Sequence, residues 1–119
     1  MKTPDALITE LDAIRVQIAR NATEVRELEL RAVTEAESFA TEYANAYKRA
    51  TGSIEERKQQ AVIDTSRFKA AKERAAIEVA YVKQRGRDLE AQQSNLQTQA
   101  RLLDTHLRSI EFRTRGGHQ

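Results

Sequence analysis

Few side chains in this chain are of the types that carry out catalysis or hold metals. The two histidines, His106 and His118, stand in no motif with metal-ligand or nucleophile spacing, and the chain contains no cysteine. His106 falls near the end of a helix-forming segment, where an imidazole caps carbonyl groups or faces solvent. Carboxylate pairs such as Glu55 and Glu56 are common on helix surfaces. We therefore predict no catalytic residue, no metal site, no cofactor and no enzymatic activity.

Basic residues are the remaining chemical signal, because the arginine guanidinium is suited to phosphate and carboxylate groups. Residues 1–52 contain seven Lys or Arg against nine Asp or Glu, net −2, whereas residues 53–119 contain thirteen against nine, net +4. This asymmetry indicates an anionic partner for the second half. The predicted contact residues for a protein partner or a nucleic acid are Lys83, Arg85, Arg87, Arg101, Leu107, Arg108, Ile110, Phe112, Arg113 and Arg115.

The same basic residues also have a purely structural interpretation. Asp104 and Arg108, and likewise Glu111 and Arg115, are four residues apart, which is the spacing of ion pairs along a helix. No aromatic platform for base stacking accompanies them, so nucleic-acid binding here would be electrostatic and independent of base sequence. An ion-paired solvated surface and an anionic contact both stay open at this point.

The composition is typical of long helices or coiled coils. The chain has four Gly, one Pro and no Trp, and it lacks the alternating apolar pattern of strands. Apolar runs are only a few residues long, so we expect no membrane-spanning segment. The first residues also lack the apolar centre of a secretory signal. We therefore expect a soluble cytoplasmic protein without a small-molecule substrate.

A single turn divides the chain. Gly52 is suited to end a helix, and Ser53 with Glu56 three residues later matches a capping box that begins the next one. Near the start, Thr3 can cap a helix that has Pro4 at its first position. We predict one helical domain over residues 1–119. Its predicted parts are helix 4–51, turn 51–53, helix 54–113 and a flexible basic tail 114–119.

Apolar residues recur every seven positions in both predicted helices, which is typical of a coiled-coil seam. In the first helix the seam comprises Leu11, Ile18, Val25, Ala32, Phe39 and Ala46. In the second helix it comprises Ile54, Ala61, Phe68, Ala75, Val82, Leu89, Leu96, Leu103 and Ile110.

Folding the chain back at the turn brings the two seams together in one register. Residues whose numbers add up to 107 then face each other, so that Ala46 meets Ala61 and Phe39 meets Phe68. A flanking seam obeys the same rule and places Asn21 opposite Gly86. We interpret that polar pair as a device that selects the register, since an amide fills the space a missing side chain leaves. The predicted fold is an all-α, long antiparallel helical hairpin.

A second apolar set near the turn is not covered by this pairing. Uncovered apolar surface usually marks contact with another chain, so we predict a homodimer in which two hairpins form a four-helix bundle. A hairpin docked onto a different protein would cover the same residues. The predicted self-association residues are Val33, Ala40, Tyr47, Ile63, Ala70, Ile77 and Tyr81. Helix two also extends past the start of helix one, which leaves Leu107, Ile110 and Phe112 without a counterpart.

The stretches "ATGSIEERKQQA" and "AAIEVAYVKQRGRDLEAQQSNLQTQARLLDTHLRSI" give the chain a family resemblance. Over about residues 7–110 it resembles small coiled-coil early proteins encoded by bacteriophages near recombination or replication genes, a group of uncharacterised function. The resemblance implies a phage accessory protein located in the host cytoplasm. It supplies no catalytic residue to transfer.

The function expected from the sequence is that of a non-enzymatic, self-associating adaptor or assembly protein, a phage accessory factor in DNA recombination or replication. One alternative is sequence-independent nucleic-acid binding by the basic second helix. Another is a structural component of a virion or an inhibitor of a host defence complex. Function resides in surfaces, so the fold alone does not separate these alternatives.

Overall fold

The computed structural model describes the backbone of residues 2–116 and the side chains of residues 2–113. This described part is all-helical and contains no strand. Its helices are α1 (Pro4–Arg49), α2 (Ile54–Asp64) and α3 (Ser66–Gly116). The first helix therefore ends two residues before the predicted boundary, and the predicted second helix is divided in two. Residues 114–116 of the predicted tail belong to α3, and residues 117–119 lie outside the described part.

Side-chain caps begin α1 and α2 where the sequence places them. The Thr3 hydroxyl accepts a hydrogen bond of 3.1 Å from the Ala6 N–H. The Ser53 hydroxyl accepts one of 3.2 Å from the Glu56 N–H and donates to the Glu56 carboxylate at 3.2 Å. Gly52 has φ 105°, a left-handed conformation that favours glycine and allows the chain to turn between the two helices.

Thr65 separates α2 from α3. Its backbone angles, φ −111° and ψ 11°, leave the helical range, while its buried hydroxyl donates a 2.6 Å hydrogen bond to the Ala61 carbonyl. A threonine that bonds back to the carbonyl four residues earlier tends to bend a helix. The chain resumes its helical course at once, since the Phe68 and Lys69 N–H groups both donate to the Thr65 carbonyl. The prediction of one continuous helix over 54–113 is therefore wrong at this residue, because the repeat of seven runs through Thr65 without interruption.

The chain divides into two units. Unit 1 comprises Met1–Asn21 and Arg85–Gln119, and its core contains Leu7, Leu96 and Leu103 with Leu11 and Ala100 packed against them. Leu7 and Ile14 are buried, whereas Leu11 and Ile18 are only partly buried. In this unit the flanking seam of α1 is therefore the more deeply buried of the two.

Asn21 and Gly86 face each other within unit 1, as the register predicts. The Asn21 side-chain oxygen occupies the place where a Cβ on residue 86 would lie. Asn21 is buried, and Gly86 lies within the long helix α3. The missing side chain at residue 86 is therefore what allows a polar residue into this position of the core.

Unit 2 comprises Ala22–Gln84 and is built around small side chains. Ala46 and Ala61 are 1% and 0% exposed, and Ala75 and Val82 are also buried. Glu29 of α1 pairs with Lys83 of α3, and Arg31, further along α1, pairs with Glu78, which comes earlier in α3. The two helices are therefore antiparallel within this unit.

Two details of unit 2 differ from the predicted seam. Ile54, the first residue of α2, is 62% exposed, although Arg57 and Ala61 on the same face of this helix are half-buried and buried. Phe39 was predicted to meet Phe68, but among the described side chains the aromatic ring that packs against Phe39 is that of Tyr43, with 6.1 Å between the ring centroids. The Lys72 ammonium lies 5.2 Å from the centre of the Phe39 ring.

Candidate interaction surfaces

Two ion pairs mark the two sides of the helix pair in unit 2. On one side the Lys83 ammonium lies 2.9 Å from the Glu29 carboxylate, and on the other the Arg31 guanidinium lies 3.9 Å from the Glu78 carboxylate. Glu29 and Arg31 point in nearly opposite directions, because a helix turns about 100° per residue. The two pairs provide a frame in which the exposed apolar residues can be located.

One set of exposed residues lies on the outer face of α1. Positions three or four apart share one face of a helix, and this face is opposite the buried or partly buried residues Leu28, Ala32 and Ala46. Leu30 and Val33 are its largest side chains, 61% and 55% exposed. We call this set the α1 stripe, and it consists of Leu30, Val33, Glu37, Ala40 and Ala44.

A second set lies on the outer face of α3, opposite the buried or partly buried Phe68, Ala75 and Val82. Ile77 and Tyr81 are 69% and 71% exposed, and they border a groove on the side of the Arg31–Glu78 pair. We call this set the α3 stripe, and it consists of Arg67, Ala70, Arg74, Ile77 and Tyr81. Ile63 of α2, also exposed, precedes it along the chain.

The structure therefore does not bring the predicted self-association residues together on one face. Val33 and Ala40 belong to the α1 stripe, whereas Ala70, Ile77 and Tyr81 belong to the α3 stripe. Helical spacing places the α1 stripe on the side of the Glu29–Lys83 pair, whereas Ile77 and Tyr81 border a groove on the side of the Arg31–Glu78 pair. The two stripes therefore lie on opposite sides of unit 2.

Tyr47, the remaining residue of that set, is engaged within unit 2. The Arg57 guanidinium lies 4.3 Å from the centre of its ring, and the same group donates a 3.2 Å hydrogen bond to the Tyr47 carbonyl. These contacts connect the end of α1 to the start of α2. Tyr47 therefore has a structural role in holding the turn.

The predicted basic contact residues are exposed, and several have partners within the chain. The Arg108 guanidinium lies 3.3 Å from the Asp104 carboxylate, as their spacing predicts. Arg101 donates a 3.4 Å hydrogen bond to the Thr98 hydroxyl. Arg85 and Arg87 each have an interaction inside the chain as well. Arg113 is exposed and Lys83 pairs with Glu29, while Arg115 lies outside the residues whose side chains are described.

The predicted unpaired end of α3 borders an apolar groove of about 190 Å³ in unit 1. Its floor includes the buried Leu7 and Leu103, and Leu107 stands at its edge, 48% exposed. Ile110 and Phe112, further along α3, are 46% and 77% exposed. The apolar seam of α3 therefore continues past the point where α1 covers it.

Sequence reasoning overlooked several exposed apolar residues. Leu30 shares the face of Val33 three residues later, so helical periodicity could have identified it. Others carry no such signal, since isolated apolar residues on a surface are common. This second group comprises Ile8, Val16, Val62 and Leu102.

Within residues 2–116 there is no group of three or more His, Cys, Asp or Glu side chains that could hold a metal ion. In the same part of the chain, none of the helices is both long and apolar enough to cross a membrane.

Comparisons with known proteins return no match: no protein-family model, no curated protein and no solved structure aligns with this chain. The bacteriophage resemblance therefore remains a hypothesis that rests on the two quoted stretches.

Proposed function

We propose that this chain is a non-enzymatic helical hairpin that self-associates and acts as an adaptor or assembly factor. Its self-association surfaces are the outer faces of unit 2. The observation that carries this proposal is the exposure of Leu30, Val33, Ile77 and Tyr81, each more than half exposed. Placement of the protein in bacteriophage DNA metabolism is also part of the proposal, and it rests on the resemblance alone.

The physical support is the cost of leaving such faces in water. Covering one exposed Leu, Ile or Val side chain contributes about 1.5–3 kcal/mol, and aromatic side chains contribute similar amounts. Helices that pack on a single neighbour normally keep their outer faces polar. Here both outer faces of unit 2 carry apolar residues at helical spacing, which indicates that another chain covers them.

The four-helix bundle of two copies remains a prediction, and the positions of the stripes restrict it. In such a bundle the two hairpins meet through one side each. Because the α1 stripe and the α3 stripe point away from each other, a bundle covers one of them and leaves the other in solvent.

Direct nucleic-acid binding is the alternative proposal, and it has less support from the described contacts. Phosphate binding needs several basic side chains that are available together. Lys83 and Arg108 each have a carboxylate partner within 4 Å, and Arg101 donates to a threonine hydroxyl. Near the end of α3, Arg113 is exposed and forms no ion pair with the described side chains.

Sedimentation of the purified chain tests the proposal. We expect a mass above the 13.5 kDa of one chain, increasing with concentration over about 10–500 μM, because small interfaces give weak association. Val33→Glu should lower the mass toward that of one chain. Val16→Glu is the matched control, since Val16 lies on the same helix with a similar exposure of 51% but outside the stripes.

Circular dichroism of each variant should show unchanged helix content, because both valines are largely exposed. A wild-type chain that stays monomeric over the whole concentration range would overturn the proposal. Equal loss of mass in Val33→Glu and Val16→Glu would show that the α1 stripe is not the contact.

A further inference from the structure

We propose that self-association is head-to-tail: the α1 stripe of one copy docks on the α3 stripe of a second copy. This inference rests on the proposed self-association and specifies its geometry. It follows from two observations, namely that the stripes lie on opposite sides of unit 2 and that their central charged residues, Glu37 and Arg74, have opposite charge.

Charge distinguishes the two stripes. The α1 stripe contains one charged residue, Glu37, and the exposed Arg26 and Lys48 lie on the same face of α1 just beyond its two ends. The α3 stripe contains two charged residues, Arg67 and Arg74. Glu37 and Arg74 are exposed, and neither has an ion-pair partner within 4 Å among the described residues. The Arg67 guanidinium lies over the ring of the neighbouring Phe68, 4.9 Å from its centre. Arg74 is therefore the arginine of the α3 stripe that a carboxylate from another copy can pair with.

The antiparallel register of unit 2 gives a matching set of pairs between two copies. Within the chain, Phe39 meets Lys72 and Arg31 meets Glu78. The same register between copies pairs residues of the α1 stripe with residues of the α3 stripe. The pairs are Leu30 with Tyr81, Val33 with Ile77, Glu37 with Arg74, Ala40 with Ala70, and Ala44 with Arg67.

Each of these pairs is chemically compatible. Three join apolar side chains, one joins opposite charges, and in the last the methyl group of Ala44 faces the aliphatic part of Arg67. Pairing two α3 stripes would instead bring Arg67 and Arg74 of both copies into one contact, which like-charge repulsion disfavours. The charge pattern therefore selects contact between unlike stripes.

Head-to-tail contact has a consequence for assembly. A contact between two different surfaces leaves one free stripe at each end of a dimer, so further copies can add and the assembly stays open. The contact covers about four helical turns with five residues from each stripe, fewer than the about 20–30 residues a side of a standard stable interface. We therefore expect short concentration-dependent chains of copies rather than a fixed dimer.

Mixing two variants tests this geometry in the full chain. Val33→Glu disables the α1 stripe and Ile77→Glu disables the α3 stripe, and each variant alone should sediment as a monomer. Their equimolar mixture should form a dimer of twice the single-chain mass, because one intact stripe of each kind remains. This dimer cannot grow, since its two outer stripes are the disabled ones.

Charge reversal provides the second arm. Glu37→Arg and Arg74→Glu should each weaken association at least tenfold, and the doubly reversed chain should recover most of the loss. The chain contains no cysteine, so Val33→Cys and Ile77→Cys variants can also be mixed. A disulfide-linked dimer between them supports the antiparallel register.

The outcomes separate this inference from the proposed function. A wild-type monomer at all concentrations would refute both. Wild-type association that Val33→Glu abolishes and Ile77→Glu leaves unchanged would refute the head-to-tail geometry and keep self-association, because the α3 stripe would then take no part in the contact. Helix content measured by circular dichroism verifies that all variants are folded.

Discussion

The contact between Asn21 and Gly86 provides a test of the register. Gly86→Ala should destabilise the wild-type chain but stabilise a chain that already carries Asn21→Ala. Gly86 lies in the interior of α3, and the side-chain oxygen of the buried Asn21 fills the space beside it. Two opposing effects determine the outcome of Gly86→Ala. Alanine is about 1 kcal/mol more favourable than glycine in a helix interior, but its methyl group would take the position of the Asn21 oxygen.

The size of the second effect follows from burial. The new methyl carbon would clash with the Asn21 side-chain oxygen, whereas Asn21 Cγ at 3.4 Å and the amide nitrogen at 3.8 Å would stay at van der Waals distance, so the buried oxygen is the atom that has to move. Displacing a buried polar group from its interactions costs about 1–3 kcal/mol. We therefore expect Gly86→Ala to lower the free energy of unfolding by about 1 kcal/mol.

Removing the amide should reverse this result. In the Asn21→Ala background, Gly86→Ala gains the helix propensity and buries one methyl group, which together raise the free energy of unfolding by about 1–2 kcal/mol. The coupling between the two sites is then about 2–3 kcal/mol, at the upper end of values for residues in contact.

Urea unfolding followed by far-ultraviolet circular dichroism measures all four members of the cycle, at a chain concentration below that of self-association. Ala91→Gly is the matched control, because Ala91 is exposed on the same helix and its replacement should cost about 1 kcal/mol in both backgrounds. If Gly86→Ala stabilised the wild-type chain and the Asn21→Ala chain equally, Asn21 would not be packed against residue 86.

Two further predictions concern the core and the turn of unit 2. Ala61→Leu should lower the free energy of unfolding by about 1–3 kcal/mol, because the completely buried Ala61 leaves no room for a larger side chain. An unchanged melting temperature would mean that the core near the turn is loosely packed. Arg57→Ala should cost about 1–2 kcal/mol through loss of its contacts with the Tyr47 ring and carbonyl, whereas Arg57→Lys should recover only part of it. Equal urea midpoints for Arg57→Ala and the wild type would contradict that role.

Local signals in the sequence predicted the helix starts and the turn well. Ser53 caps α2, Thr3 caps α1, and Gly52 adopts the left-handed conformation. Each of these features depends on residues at most three positions apart, so neighbours in the sequence determine it. The repeat of seven likewise predicted the buried residues of α3 from Ala75 to Leu103, since one buried stripe repeats along the whole helix.

Other features depend on individual side-chain contacts, which the seven-residue repeat does not describe. At Thr65 the hydroxyl and the backbone N–H both donate to the Ala61 carbonyl, and this additional bond accompanies a break after α2 that the seam would have continued through. In unit 1 the flanking residues Leu7 and Ile14 are more deeply buried than Leu11 and Ile18. Both seams are apolar there, so periodicity alone gave no reason to rank them.

The grouping of the self-association residues shows what a further step of sequence reasoning could have supplied. Val33 and Ile77 lie at the same level of the antiparallel helix pair, and the predicted self-association set groups them because both are close to the turn. They lie on different sides of the helix pair, however: Val33 is on the side of the Glu29–Lys83 pair and Ile77 is on the side of the Arg31–Glu78 pair. Once a register is assumed, those flanking pairs follow from opposite charges at matching positions, and they assign a side to every exposed residue. For this chain, such an assignment predicts two different apolar faces on opposite sides of unit 2 in place of one closed interface. Two different faces are what head-to-tail assembly requires.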